Sequence, residues 1–183
     1  MSRGFVKEDD AQTPPLIPPR AALPPGTPNY VTPGGLEQLR AELSQLETER
    51  TQAEANRDND TDRTHQLSFY NGRIALLTAR IGSARVVNPS QQPPQEVRFG
   101  ATVTLRTIAP AGPDKEPSKA GFERAFTIVG VDEADVAAGK VAFVAPIARA
   151  VQGARLGQRV TLKLGPQQEQ VEVVAVRYGS EEA

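Results

Sequence analysis

The 183-residue chain contains no cysteine and no tryptophan, a single histidine, and only 5% aromatic residues. The missing cysteines exclude disulfide bonds, thiolate metal sites and thiol nucleophiles, and they fit a reducing compartment. A net charge of −1 excludes a chain that coats nucleic acid or anionic lipid by bulk electrostatic attraction. No apolar run approaches the roughly 20 residues that cross a bilayer, and the N-terminus has no signal-peptide segment. The sequence therefore predicts a cytoplasmic protein with modest aliphatic cores.

Proline is concentrated at the N-terminus, where residues 1–33 hold eight of the sixteen prolines. Proline fixes φ and donates no backbone hydrogen bond, so this stretch cannot continue a helix or join a central strand. We expect residues 1–31 to form an extended or disordered arm, with a spacer and an aromatic-groove ligand both open as interpretations. Order is predicted to return at Thr32 and Pro33, which suit the N-cap and first position of a helix.

Apolar residues then recur with helical spacing in two stretches that mirror each other. The position numbers of each mirrored pair sum to 120, as an antiparallel pairing of two helices requires, and half of that sum places the reversal at Asp60. The sequence thus predicts an antiparallel coiled-coil hairpin over residues 32–86, with arms near 36–57 and 63–84. The paired positions are Leu36 with Ala84, Leu39 with Ile81, Leu43 with Leu77, Leu46 with Ile74, Arg50 with Tyr70, and Ala53 with Leu67.

The pattern changes after residues 87–97, whose Pro, Gln, Ser and Asn content is typical of a linker. β-Branched runs of strand length follow over residues 98–179 and predict an antiparallel sheet of about five strands. One short helix is expected from Pro146 to Gln152, and a long polar loop at residues 109–121. The predicted class is α+β, with residues 180–183 as a tail. The expected strands are 101–105, 125–131, 141–144, 160–164 and 171–178.

Four segments of the C-terminal half carry a family likeness, and Tyr30 to Leu36 and Asn71 to Ile74 extend it to about residues 29–178. Together they resemble the bacterial Gre family of transcript-cleavage elongation factors, in order and at compatible spacings. The four segments are Phe99-Gly-Ala-Thr-Val-Thr-Leu105, Thr127-Ile-Val-Gly-Val-Asp-Glu-Ala-Asp135, Ala145-Pro-Ile-Ala-Arg-Ala-Val-Gln-Gly153 and Val171-Glu-Val-Val-Ala-Val-Arg-Tyr178.

The resemblance implies a sheet domain with the fold of the FK506-binding proteins (FKBP-like) and a hairpin that enters the secondary channel of RNA polymerase. In the family, carboxylates at the hairpin tip help to hold an active-centre Mg²⁺, and the polymerase itself cleaves the backtracked RNA. The chain is thus expected to have no catalytic residues of its own, to meet nascent RNA only indirectly, to avoid membranes and to be a monomer. The implied sites are Asp58, Asp60 and Asp62 for the shared Mg²⁺, Arg57 and Arg63 for phosphate or RNA, and Pro146, Ile147 and Arg149 for the polymerase rim.

The tip departs from the family pattern. It reads Asp58-Asn-Asp-Thr-Asp-Arg-Thr-His-Gln66, whereas the cleavage-competent tip resembles Gly-Asp-x-x-Glu-Asn-Ala-Glu-Tyr. Each arm is also about two turns short, which removes on the order of 10 Å of reach. Because relatives with altered tips or short hairpins regulate or inhibit the polymerase, cleavage stimulation is the expected function and inhibition without cleavage is the alternative.

Two alternatives outside polymerase regulation also remain. In a coiled-coil adaptor the tip acids would be turn and capping residues only. A peptidyl-prolyl isomerase would require an aromatic-lined pocket, but all aromatic side chains of the sheet domain are expected in its core. His65 suits either proton transfer or an exposed helix surface. The five expected core aromatics are Phe99, Phe122, Phe126, Phe143 and Tyr178.

Overall fold

The structure, a computed structural model, describes residues 15–57, 59–111, 120–164 and 167–179. Asp58, residues 1–14 of the predicted arm and the predicted tail lie outside these ranges. The described part consists of a helical hairpin followed by a five-stranded sheet, which confirms the predicted α+β class. Within these ranges no helix combines the length and the apolar character that a membrane crossing needs.

Two helices of 23 residues form the hairpin: α1 spans Pro33–Ala55 and α2 spans Asp60–Gly82. At 1.5 Å per residue each is about 35 Å long. Thr32 caps α1 as predicted, because its side-chain oxygen accepts a hydrogen bond from Gly35 N at 2.9 Å. The seam between the helices is built mainly from positions that the sequence pattern pairs. Its members are Val31, Leu36, Leu39, Leu43, Leu46, Tyr70, Ile74, Leu77, Ile81 and Ala84.

The chain reverses next to Asp60, the position that the mirrored spacing indicates. The side-chain oxygen of Asn59 accepts hydrogen bonds from Thr61 N at 3.0 Å and Asp62 N at 3.2 Å. This cap begins α2 at Asp60, three residues before the predicted return arm at 63, and α1 ends at Ala55. The hairpin is as predicted, and only the start of its return arm is corrected.

A short parallel pair of strands closes the base of the hairpin. Strand β1 (Asn29–Val31) pairs with β2 (Ala84–Val86), and Asn29 Nδ2 donates to the Arg80 carbonyl at 2.9 Å. The prediction of a disordered arm up to residue 31 is therefore wrong for β1. The partner strand β2 follows α2 and is distant from β1 in the sequence, so local composition does not reveal the hydrogen bonds that it supplies.

Five strands form the main sheet in the order β5-β4-β3-β7-β6. Three of its four neighbouring pairs are antiparallel, but β4 and β5 run parallel. The predicted all-antiparallel sheet is thus corrected at the β5 edge, because the chain between these two strands turns back far enough for β5 to run parallel to the last three residues of β4. The strands are β3 (Thr102–Ala111), β4 (Glu123–Val129), β5 (Lys140–Ala142), β6 (Arg159–Leu164) and β7 (Gln167–Arg177).

Strand β3 extends into the predicted loop 109–121. It continues through Pro110, which lies opposite Glu169 of β7. The last pair between β3 and β4 joins Arg106 to Glu123, so beyond it the described part of β3 has a partner strand on one side only. A strand with a free edge tolerates proline, which explains why the residue does not end β3.

Helix α3 (Pro146–Val151) packs on the sheet and buries Ala148 and Val151. Gly153 follows it with φ +79°, the left-handed conformation that the sequence predicts at this position. The predicted linker is held against this region, since Val97 is fully buried and its N–H donates to the Ala154 carbonyl at 2.8 Å. Residues 87–97 also contain a short 3₁₀ helix, so they form an ordered connection.

Four of the five aromatics assigned to the sheet core by the sequence are packed as expected. Phe99 and Phe126 are buried, and Phe143 and Tyr178 pack against the core. The assignment is wrong for Phe122, whose side chain is 60% exposed. Phe122 immediately precedes β4, so it lies outside the strand in which alternate side chains point into the core of the sheet domain.

Glu133 joins the hairpin to the sheet domain. It lies in the β4–β5 connection, is buried, and accepts hydrogen bonds from Thr32 N at 3.0 Å and Thr32 Oγ1 at 2.5 Å. The N–H of Gly130 donates to the same carboxylate at 3.2 Å. A side chain at Gly35 would overlap Glu133, so glycine is required there for the close approach. A carboxylate at the N-terminus of α1 also suits the positive end of the helix dipole.

Three aromatic rings support the same junction. Tyr30 of β1 contacts Phe99 and Phe143 of the sheet domain, with ring centroids 5.9 Å and 5.5 Å away. Phe99 and Phe143 contact each other edge to face at 5.8 Å. Such tilted arrangements are the favourable ones for aromatic pairs. The base of the hairpin is thus attached by both a buried carboxylate and an apolar cluster.

Candidate functional site

The described tip of the hairpin carries two carboxylates, each with a local partner. Asp60 and Asp62 lie in the first turn of α2 and are exposed. Arg63 Nη2 lies 3.0 Å from Asp60 Oδ1, and Asn59 Nδ2 donates to Asp62 Oδ2 at 2.7 Å. Both acids therefore contribute to the start of α2, where negative charge suits the helix dipole.

The tip residues suit a metal ion only as partial ligands. Carboxylates are the ligands that Mg²⁺ prefers, but side chains two positions apart on a helix do not face each other, so Asp60 and Asp62 cannot both turn toward one ion without movement. Within the described ranges, no three acidic or histidine side chains converge in a way that would hold a metal. The arrangement fits an ion held mainly by another molecule. The contribution of Asp58 lies outside the described residues.

The two arginines predicted to contact phosphate differ in how accessible their side chains are to a ligand. Arg57 is exposed in the turn, whereas Arg63 is half-buried and paired with Asp60. A phosphate that contacts Arg63 would compete with Asp60 for the same guanidinium. His65 is half-buried one turn further along α2.

Helix α3 presents the predicted rim contacts on a separate surface. Pro146 and Arg149 are exposed, while Ile147 is half-buried and packs against the sheet core. Ala145 precedes the helix without a side-chain cap, so only Pro146 at the first position favours the helix start. The structure therefore does not bring the tip and α3 together; they belong to the hairpin and the sheet domain respectively.

Sequence reasoning missed a cluster of charges at the junction of hairpin and sheet domain. Arg20 donates to the Glu42 carboxylate at 3.0 and 3.1 Å and from Nε to Asp132 Oδ1 at 3.1 Å. The hydrogen bond from Arg20 lowers the pKa of Glu42, and Glu42 in turn raises the pKa of Arg20. Arg80 Nε lies 3.3 Å from Asp132 Oδ2. No local sequence pattern predicts these pairs, because Arg20 stands in a proline-rich segment of the kind that is usually disordered.

Comparisons with known proteins agree on one family. The family model "Transcription elongation factor, GreA/GreB, C-term" matches residues 91–178. The transcription elongation factor GreA of Acidiphilium cryptum is 34% identical over 162 residues, which cover 81% of this chain and 97% of that protein. GreB of Neisseria meningitidis serogroup B is 32% identical over 166 residues, covering 83% and 95%. A solved GreA/GreB factor from Nitrosomonas europaea covers 83% of this chain and 99% of that one at 20% identity and a TM-score of 0.38.

Proposed function

Because the chain belongs to the GreA/GreB family of transcription elongation factors, we propose that it binds RNA polymerase at the secondary channel and stimulates cleavage of backtracked RNA. The observation that carries the proposal is a rod about 35 Å long with carboxylates at its free end and a buried attachment at its base. Such a rod can place negative charge deep inside a narrow channel. The polymerase supplies the active site, and this chain supplies charge and position.

The tip residues have complementary roles in this proposal. A Mg²⁺ ion shared with the polymerase would neutralise phosphate charge and activate a bound water. Asp60 and Asp62 would each offer one carboxylate, and Asp58 would add a third. Arg57 and Arg63 would contact RNA phosphates. When Arg63 turns toward phosphate it leaves Asp60, whose carboxylate is then free for the ion.

The sheet domain holds the factor in place at the channel rim. Pro146 and Arg149 are exposed and would contact the polymerase directly, while half-buried Ile147 fixes the position of α3 and contributes a smaller surface. The apolar seam of the hairpin is satisfied between its own two helices. We propose on this ground that the factor acts as a monomer.

A second candidate function is inhibition of the polymerase without RNA cleavage. It is favoured by the local pairing of both described tip acids, Asp60 with Arg63 and Asp62 with Asn59. If those pairs persist inside the channel, the hairpin would block nucleotide entry without offering free carboxylates.

The decisive experiment adds the protein to a stalled, backtracked polymerase complex and measures RNA shortening. Changing Asp58, Asp60 and Asp62 together to Asn should reduce the effect by about tenfold or more, since preorganised charge at an active centre is worth that much or more. The free energy of unfolding should fall only modestly, by about 1 kcal/mol, because the described tip acids are exposed and contribute chiefly through the dipole of α2. Polymerase pull-down through the sheet domain should persist.

A control removes charges from the side of the rod, away from the tip. Glu37 and Glu47 are exposed on α1, and their joint change to Gln should leave RNA cleavage intact. Full activity of the triple Asn variant in both cleavage and nucleotide-addition assays would instead identify the tip acids as turn residues. The coiled-coil adaptor interpretation would then replace the present one.

A further inference from the structure

The described part of the proline-rich arm crosses from the hairpin to the sheet domain. Ile17 packs so closely over Gly72 of α2 that any side chain there would overlap it. Four residues further on, the Ala21 carbonyl accepts a hydrogen bond from Arg80 Nη2 near the end of α2. Between these contacts, Pro18, Pro19 and Arg20 line a cavity with the connection after β4. The arm is therefore held against the rest of the molecule at Ile17, Arg20 and Ala21, although many of its other residues are exposed.

Arg20 is the residue through which the arm touches both parts of the molecule. Its two terminal nitrogens donate to the two oxygens of Glu42 on α1, and its Nε and Nη2 lie 3.1 and 3.0 Å from Asp132 in the β4–β5 connection. The Arg20 side chain is 20% exposed and the Asp132 side chain only 5%. The planar guanidinium holds its hydrogen-bond donors in fixed directions, so it can bind two carboxylates in one defined arrangement. A lysine ammonium lacks this geometry.

The contact of Arg20 with Glu42 and Asp132 lies where it can restrict the angle between the hairpin and the sheet domain. The attachments described above lie at the base of the hairpin: the Thr32–Glu133 hydrogen bonds, the ring contacts of Tyr30, and Arg80 beside Asp132. Glu42 lies ten residues beyond Thr32 along α1, about 15 Å from the base. A contact this far along the rod resists tilting of the hairpin more effectively than further contacts at the base would. A tilt of about 10° at the base would move the tip of the rod by about 6 Å.

We propose that residues 15–28 are a latch that fixes the angle between hairpin and sheet domain, with Arg20 as its positioning residue. Pro18 and Pro19 immediately precede Arg20 and restrict the backbone, which reduces the conformational entropy lost when the arm docks. Ile17 on Gly72 sets where the arm lies, and Arg20 then joins Glu42 to Asp132. The latch thereby determines where the tip points relative to the surface of α3.

The absence of native cysteine makes the test direct. Cysteines introduced at exposed Glu54, near the tip, and exposed Lys163 on β6 accept spin labels on the two bodies. Pulsed electron–electron double resonance of the free, doubly labelled protein should give one narrow distribution of distances between the two spin labels. In Arg20→Ala the distribution should broaden or shift by about 5 Å, the displacement that a small tilt produces at this length.

Two further variants keep the result interpretable. Arg20→Lys retains the positive charge but loses the planar guanidinium with its several donors. It should therefore broaden the distribution of label distances to an intermediate extent. Arg40→Ala removes an exposed arginine from α1 and should leave the distribution narrow. Circular dichroism should show the same helix content in all variants, which separates loss of the latch from loss of the hairpin.

The proposal is overturned if Arg20→Ala gives the same narrow distribution as the unaltered protein, or if Arg40→Ala broadens it equally. Because the measurement uses the protein alone, it does not depend on the proposed action on RNA polymerase. If the protein did not stimulate RNA cleavage, the latch hypothesis would still stand. If the latch were absent, the proposed role of the tip carboxylates would still stand.

Discussion

At the scale of single residues, Tyr178 joins the end of the last strand to the connection that leaves the hairpin. Its hydroxyl accepts a hydrogen bond from Arg98 N at 2.9 Å and donates to the Glu96 carbonyl at 2.5 Å, and burial raises its pKa. Tyr178→Phe should cost about 2 kcal/mol in urea unfolding, because two hydrogen bonds of about 1 kcal/mol each are lost. Tyr70→Phe on the hairpin serves as control and should stay within about 0.5 kcal/mol of the unaltered protein. Equal losses in both variants would contradict the assignment.

Glu42 makes the junction sensitive to acid. Its pKa lies below the ordinary value of 4.5, chiefly because Arg20 donates hydrogen bonds to the charged carboxylate. A lowered pKa in the folded state means that the pairing contributes stability above the unfolded pKa and loses it as pH falls through the folded pKa. Unfolding by urea should show Glu42→Gln less stable than the unaltered protein at pH 6, by under about 1 kcal/mol since the pair is partly exposed. The difference should shrink below pH 4.5. A difference independent of pH would exclude this origin.

At the scale of elements, the sequence pattern predicts what depends on local spacing. The seam of α1 and α2 follows from helical periodicity, and the caps at Thr32 and Pro33 from residue type. The early start of α2 depends on which of several polar residues becomes the cap, and composition alone does not select Asn59. The parallel pairing of β4 with β5 depends on the path of the connection between them. The contact between Arg20 and Asp132 joins residues 112 positions apart, beyond any local pattern.

Helix α3 is the element on which polymerase binding should depend. Pro146 and Arg149 are exposed, while Ala148 and Val151 of the same helix are buried, so the first two can be changed without loss of packing. Replacing both with Ala should weaken pull-down of RNA polymerase, and the far-ultraviolet circular dichroism should be unchanged. Arg159→Ala, which removes an exposed arginine from β6, should bind as the unaltered protein does. Unchanged pull-down after the double replacement would move the rim contact to another surface.

At the scale of the whole molecule, the rod has one buried end and one charged end, and the charged end is the part of the candidate site that the sequence could predict. The tip acids follow from the position of the reversal, since no core residue lies beyond it. The buried end could not be predicted in the same way. Glu133 and Thr32 belong to different parts of the chain, and neither is unusual until the fold brings them within hydrogen-bond distance. Contacts between distant parts of the chain therefore set the direction in which the hairpin points from the sheet domain, and local sequence patterns do not predict it.

The sign of the effect on transcription should be visible in its dependence on Mg²⁺. If the tip acids act together with an active-centre ion, RNA cleavage by the polymerase should rise with Mg²⁺ concentration and with pH, because activation of the water requires loss of a proton. If the hairpin only blocks the channel, added Mg²⁺ should compete for Asp60 and Asp62, which are exposed, and inhibition should fall. Titrating Mg²⁺ in cleavage and nucleotide-addition assays separates the two. The variant with Asn at Asp58, Asp60 and Asp62 should lose the part of the Mg²⁺ dependence that the factor adds to the polymerase's own. An added dependence that survived in this variant would place the relevant ligands on the polymerase alone.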